Sequence, residues 1–252
     1  IILAIFSVFI NQYFSNIGVF PIDSFLIFDS GYNITLGNHP FKDYWIITGP
    51  LLDYIQSFYF FILGVNWFSY VLHASTINMV ITLCSFYFFS RIGLKTLYAF
   101  IYSVGVAILA YPNTGTPFVD HHAVIFGTIA LYSFTLAILF KKNLYWFVTP
   151  ILIVLSFFSK QIPSAYLLIL FLFIIGLIFF YTKNKNKKNL LYFISGFIFS
   201  FLIIFCVFII NGIPFESFLI QYIFYPLSLG NERIIGFNPD FQNLISQFKF
   251  IY

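Results

Sequence analysis

Eight carboxylates break up an otherwise apolar chain: Asp23, Asp29, Asp43, Asp53, Asp120, Glu216, Glu232 and Asp240. A positioned carboxylate can take a proton from a hydroxyl, and all eight fall on one side of the apolar runs. Asp120-His121-His122 sets a carboxylate beside two imidazoles, a ligand set that suits a divalent metal ion. Adjacent residues on a helix do not share a face, so at most two of the three can reach one ion without help from Asp23 or Asp29. The other expectation for this run is an Asp N-cap with its histidines at headgroup level. Lys160-Gln161 stands on the acidic side, where a lysine either snorkels to headgroups or binds phosphate as a point charge. Arg233 is a second phosphate candidate, with Glu232 as its alternative partner. Asp43 is expected to hold its own loop or contact Lys42, and Tyr44 and Trp45 suit an interfacial belt. His73 and Asn78 lie inside an apolar run and are expected to hydrogen-bond between helices.

These groups must be positioned by membrane helices. Hydrophobic residues make up 61% of the chain, charged residues 8%, and mean hydropathy is +0.95, which excludes an ordinary soluble domain. The apolar runs do not alternate as barrel strands would, so the fold class is all-α, a polytopic transmembrane helical bundle. Spans are expected over 1–20, 67–90, 96–112, 121–140, 144–160, 163–182 and 190–211. Eight of the twelve basic residues then fall in the connections on the other side: Arg91, Lys95, Lys141, Lys142, Lys183, Lys185, Lys187 and Lys188. By the positive-inside rule those connections are cytoplasmic and the carboxylates lie outside. The net charge of +4 is accounted for by these short loops and does not call for a nucleic-acid partner.

Residues 50–66 are almost long enough to span, but a span there would turn every lysine loop outward. Asp53 and Gln56 also lie one turn apart on a single face. The segment therefore reads as an interfacial helix in a first outer loop over 21–66. The whole chain, 1–252, reads as a single membrane domain, with six further spans over 67–211 and a last outer loop over 212–252. Cys84 and Cys206 lack metal-ligand or redox spacing and read as packing residues. The start at Ile1-Ile2 without methionine and the stop at Tyr252 soon after a loop read as truncation.

The stretch Pro21-Ile-Asp23-Ser-Phe-Leu-Ile-Phe-Asp29-Ser-Gly-Tyr32 is followed by Leu36-Gly37, Pro40-Phe-Lys-Asp43-Tyr-Trp, Gly49-Pro50-Leu-Leu and Ile62-Leu-Gly64. Together these resemble the first outer loop of the C-superfamily glycosyltransferases, nearest the protein O-mannosyltransferase and lipid A aminoarabinose transferase group. Ser159-Lys160-Gln161-Ile-Pro163 is similar to a Lys-Gly-Pro-type turn of that family. Two features depart from it: Asp23 is followed by Ser24 rather than a second acid, and the spans are fewer than is typical.

The resemblance implies transfer of a sugar from a polyprenyl-phosphate donor to an acceptor hydroxyl on a glycan, lipid or protein, at the periplasmic or extracellular face of the inner (plasma) membrane. Asp23 is then the general base, with Asp29 as alternate, and direct displacement inverts the anomeric carbon. Asp23-Ser24 is also a good helix cap. The resemblance implies phosphate binding for Lys160 and Gln161, with Arg233, Tyr44 and Asp43 as further substrate-binding candidates. It also implies a possible divalent metal ion at Asp120, His121 and His122 to neutralise the leaving phosphate. Two other functions remain open: a lipid or polar-solute transporter or flippase, and an O-antigen polymerase or ligase. A transporter would carry ionisable groups within its spans. A polymerase or ligase would carry a late outer loop rich in arginine.

Overall fold

The computed structural model describes residues 1–18, 23–181 and 187–229, all helix, turn or loop with no strand. The chain runs α1 (Ile2–Ser15), a 3₁₀ turn (Asp23–Phe25), α2 (Leu26–Thr35), α3 (Pro50–Leu63), α4 (Trp67–Arg91), α5 (Thr96–Leu109), α6 (Val119–Phe140), α7 (Asn143–Ser159), α8 (Gln161–Tyr181), α9 (Lys187–Asn211) and α10 (Phe215–Phe218). A π-helical turn, Leu219–Phe224, continues α10. Four helices, α4, α6, α8 and α9, are long and apolar enough to cross a membrane, and α1, α5 and α7 are shorter apolar helices. A continuous helix pairs its backbone groups internally, which is why such runs fold this way.

Local signals set several boundaries. Gly49 adopts a left-handed φ of 76° before Pro50, so the chain turns and enters α3 with proline at its first position. α4 opens on a capping box: Asn66 accepts from the Ser69 amide, and the Asn66 amide donates to Ser69 Oγ. Two expectations need correction. The first helix stops at Ser15 rather than residue 20, and Asn16 Nδ2 donates back to Gln12 O, an asparagine competing with the helical backbone. The N-cap of α6 is Phe118, not Asp120, which lies in the first turn.

α4 packs against α5, α6 against α7 and α7 against α8, while α9 packs against α7, and α1 packs against α4 and α5. Buried polar atoms tie them. Asn78 Nδ2 donates to Ser7 O and Ala107 O, each at 2.9 Å, the interhelical bond expected of it. Asn11 Nδ2 donates to Ser75 Oγ and to Gly115 O. α7 and α9 approach so closely that a Cβ on Gly196 would fall 2.2 Å from Phe147 O. At one end of the helices Arg91 lies 4.7 Å over the Phe140 ring; we call this the basic end. At the other, α2, α3 and α10 gather with Asp53, Asp120 and Lys160, and an aromatic core of Phe41, Phe158, Phe208, Phe218 and Tyr222 binds them. This is the acidic end.

Candidate functional site

The strap over residues 44–48, α2 and Tyr225 line a cavity of about 460 Å³ at the acidic end. Asp53 lies at its floor, fully buried, accepting from Ser30 Oγ at 2.6 Å and Tyr44 Oη at 2.9 Å. Burial pushes its carboxyl up to about 7, while the two hydroxyl bonds pull the other way. Burial, then the neighbouring Asp53 carboxylate, holds the Tyr44 hydroxyl well above the usual phenol range. Asp29 lines the same cavity but is exposed, and among the described residues its carboxylate takes one long bond, from Asn33 Nδ2 at 3.4 Å. Asp29 is therefore open to a new hydroxyl, whereas Asp53 is buried and already bonded at both oxygens. Trp45 and Tyr225 meet edge-to-face at 5.5 Å on the rim. Among the described residues no lysine, arginine or histidine lines the cavity.

The strap is fastened from outside by two glutamines. Gln161 Nε2 donates to Ile47 O at 2.7 Å and Tyr222 O at 2.8 Å. Gln221 accepts from the Ile46 amide and donates to Phe41 O. Gln221 and Tyr222 sit in the π-helical turn, a distortion that recurs at functional sites.

Asp23 opens the 3₁₀ turn, exposed and outside the cavity lining, and Phe25 rather than Asp23 or Ser24 is the N-cap of α2. Asp43 holds its loop, accepting from the His39 amide at 2.8 Å with Lys42 Nζ 4.0 Å away. Lys160 Nζ donates to Asp120 Oδ1 at 2.5 Å, both side chains part-exposed. Arg233 lies outside the described residues.

Asp120, His121 and His122 do not converge on a metal, and among the described residues no three His, Cys, Asp or Glu side chains do. Asp120 turns to Lys160 and His121 Nε2 to Asn113 Oδ1. His122 turns inward, with Nδ1 2.7 Å from Tyr111 Oη and Nε2 2.9 Å from His73 Nε2. His73 Nδ1 then reaches Gln56 Oε1 at 3.0 Å. The three residues leave the helix in three directions, so the set does not fit a divalent ion.

A second cavity, an apolar groove of about 1000 Å³, runs along α4, α5 and α6 from Ile92 and Leu94 at the basic end to Asp120 and His121 at the acidic end. The Lys160–Asp120 pair thus stands at its head. A third, a slot of about 270 Å³, lies between α3, α7 and α9.

Compared with protein-family models, curated proteins and solved structures, the chain matches none. Its chemistry therefore has to be read from the site itself. A mixed cavity with a free carboxylate at its mouth, a hydroxyl-bonded carboxylate below and aromatic rings on its rim suits a polyol. Aromatic faces and edges stack on its C–H surfaces while oxygens and amides bind its hydroxyls. Sequence reasoning noted Asp53 and Gln56 as sharing a face but did not place Asp53 in the site. By sequence Trp45 suits an interfacial belt, and nothing in the spacing marks Ser30 or Tyr225, which the fold brings to the cavity.

Proposed function

We propose that the chain is a membrane glycosyltransferase, moving a sugar from a polyprenyl-phosphate donor to an acceptor hydroxyl at the outer face of an inner or plasma membrane. In this reading α1 and α4–α9 span, while α2 and α3 lie at the outer interface. The separation of lysine-rich connections from the acidic end supports that orientation.

The observation that carries the function is an acidic cavity, without a cation among its described lining residues, whose strap is held at Ile47 by Gln161, the neighbour of the Lys160 that heads the apolar groove. The sugar occupies the cavity and the polyprenyl tail the groove, with the phosphate at Lys160. Asp29, the exposed carboxylate of the cavity, takes the proton of the acceptor hydroxyl. The acceptor oxygen bonds to the anomeric carbon as the bond from that carbon to the phosphate oxygen breaks. The polyprenyl phosphate leaves with that electron pair, and a single displacement inverts the centre. Asp53 acts through Tyr44 and Ser30, fixing the floor, so catalysis is mainly positioning and electrostatics.

The test uses membranes containing the chain, supplied with a labelled polyprenyl-phosphate sugar. Transfer by the wild type, and a fall of about 10²-fold or more in Asp29→Asn, is the expected result. Absence of transfer across a panel of lipid-phosphate and lipid-diphosphate sugars would overturn it. One observation favours a lipid or solute transporter as the second reading: His73 and His122 are buried inside α4 and α6, where ionisable groups commonly mark a transport path.

A further inference from the structure

Among the described residues the acidic end carries two cations, Lys42 and Lys160, and each stands beside an apolar cleft. Lys160 heads the groove along α4–α6. Lys42 lies at the other cleft, the slot between α3, α7 and α9, next to Phe41, which helps line it. Its Nζ donates to Asn211 O at 3.2 Å, just beyond Phe208 and just before Ile213, which also line the slot. The ammonium has donors to spare, since Asp43 lies 4.0 Å away and the side chain is 41% exposed.

Among the described residues the slot presents no polar surface. Ser200 Oγ is turned back to Gly196 O, and Tyr54 Oη is turned to His39 Nδ1 at 3.2 Å. Val154, Phe158, Ile203 and Val207 complete walls that offer a guest only dispersion contacts. An apolar cleft with a cation at its end is complementary to an anionic amphiphile, and a slot this small suits an acyl chain with an anionic headgroup.

The slot also adjoins the sugar cavity. Residues 40 and 41 line the slot and residues 44–48 line the cavity. On α3, Pro50, Leu51 and Tyr54 face the slot while Asp53 faces the cavity. Lys42 and Tyr44 are two residues apart, a span of at most about 7 Å of extended chain.

We infer that the slot between α3, α7 and α9 binds the acyl chain of an anionic lipid, and that this lipid is the sugar acceptor. Its headgroup pairs with Lys42 and offers a hydroxyl across the strap to Asp29. The inference rests on the transferase reading for the lipid's role as acceptor, but not for its binding.

The experiment separates the two. The chain, reconstituted in lipid nanodiscs, is exposed to two phospholipid probes with the same diazirine-bearing acyl chain, one with an anionic headgroup and one zwitterionic. Crosslinked residues are then mapped by peptide mass spectrometry. Labelling of residues 203–207 by the anionic probe, at least about fivefold above the zwitterionic one, is expected. Lys42→Gln should abolish the preference. Val154→Trp, which fills the slot, should abolish the labelling while labelling of Ile101 and Val106 in the groove persists as the control for folding. Equal labelling by the two probes, or undiminished labelling in Val154→Trp with the control intact, overturns the site. Labelling as expected with no transfer to an anionic lipid from any lipid-linked sugar retains the site and overturns the acceptor role. Transfer to such a lipid that survives Val154→Trp overturns the slot while leaving the transferase reading in place.

Discussion

Asp53 and Gln56 lie one turn apart on the same face of α3, both fully buried, and each anchors a different polar network. Asp53 gathers Ser30 of α2 and Tyr44 of the strap. Gln56 receives His73 of α4, which in turn meets His122 of α6. The short helix is therefore the joint between the polar cavity and two of the long helices. A change on either side of it should be felt on the other.

Asp29 and Asp23 are separable by activity. Asp29→Asn should lower transfer by about 10²-fold or more, the scale of general-base loss. Asp23→Asn, on the exposed 3₁₀ turn, should leave the rate within a few-fold of wild type. Rates in matched membranes, normalised to folded protein, decide it, and the reverse order would return the base to Asp23.

Asp53 gives a pH signature. Its folded pKa, about 7, lies above the ordinary carboxylate value, so the folded state holds its proton more tightly than the unfolded chain does. Stability at this group is greatest below about pH 4 and falls as pH rises to about 7, by up to roughly 4 kcal/mol. Asp53→Asn removes that slope. Thermal unfolding in detergent from pH 4 to 8 should show the stability difference, mutant minus wild type, rising to about pH 7 and then levelling. A difference that stays constant with pH would sink the assignment.

The histidine pair should behave as one unit. His73→Phe or His122→Phe alone leaves a buried ring nitrogen without its partner, at about 1–3 kcal/mol. The double replacement should cost less than the sum of the singles, since it removes both halves of the same bond. Strict additivity in unfolding measurements would mean that the 2.9 Å contact carries no coupling.

Lys160 and Asp120 should move donor binding in opposite directions. Lys160→Gln should raise the apparent KM for a polyprenyl-phosphate sugar by about tenfold, equivalent to about 1.4 kcal/mol. Asp120→Asn, which frees the ammonium of its present partner, should lower it. If both changes weaken the donor equally, the pair acts as a structural clasp and not as a phosphate seat.

The helices were the readable part of this chain. Apolar runs between Arg91, Lys95, Lys141 and Lys142 mark their ends, and Asn66 with Ser69 announces α4 locally. The divergence of Asp120, His121 and His122 also follows from helix geometry alone. The cavity was less legible because its parts are distant in sequence. Trp45 meets Tyr225, and Gln221 holds Phe41, across some 180 positions. Asp53 enters the site only once the strap brings Tyr44 beside it, which no spacing rule on α3 foretells. Lys160 reads as a lone outer lysine until α6 and α7 set Asp120 against it.

The buried chain from Phe118 to Gln56 can run in either of two directions. A backbone amide can only donate, and the Phe118 N–H gives its proton to Tyr111 Oη at 2.8 Å. Tyr111 Oη and Phe118 O both stand within reach of His122 Nδ1, at 2.7 and 3.2 Å, so that nitrogen can accept from the phenol or donate to the carbonyl. With Nδ1 accepting, His122 is the Nε2–H tautomer, His73 the Nδ1–H tautomer and Gln56 the terminal acceptor; with Nδ1 donating to Phe118 O, both tautomers reverse. The first arrangement leaves the Gln56 amide nitrogen as the donor without a partner. The Phe118 peptide thus serves either polarity of the chain down to α3, its N–H through Tyr111 and its carbonyl directly at His122. Reversing that polarity requires an amide flip and two tautomer exchanges in concert, so the interior is held in one of two electrical settings.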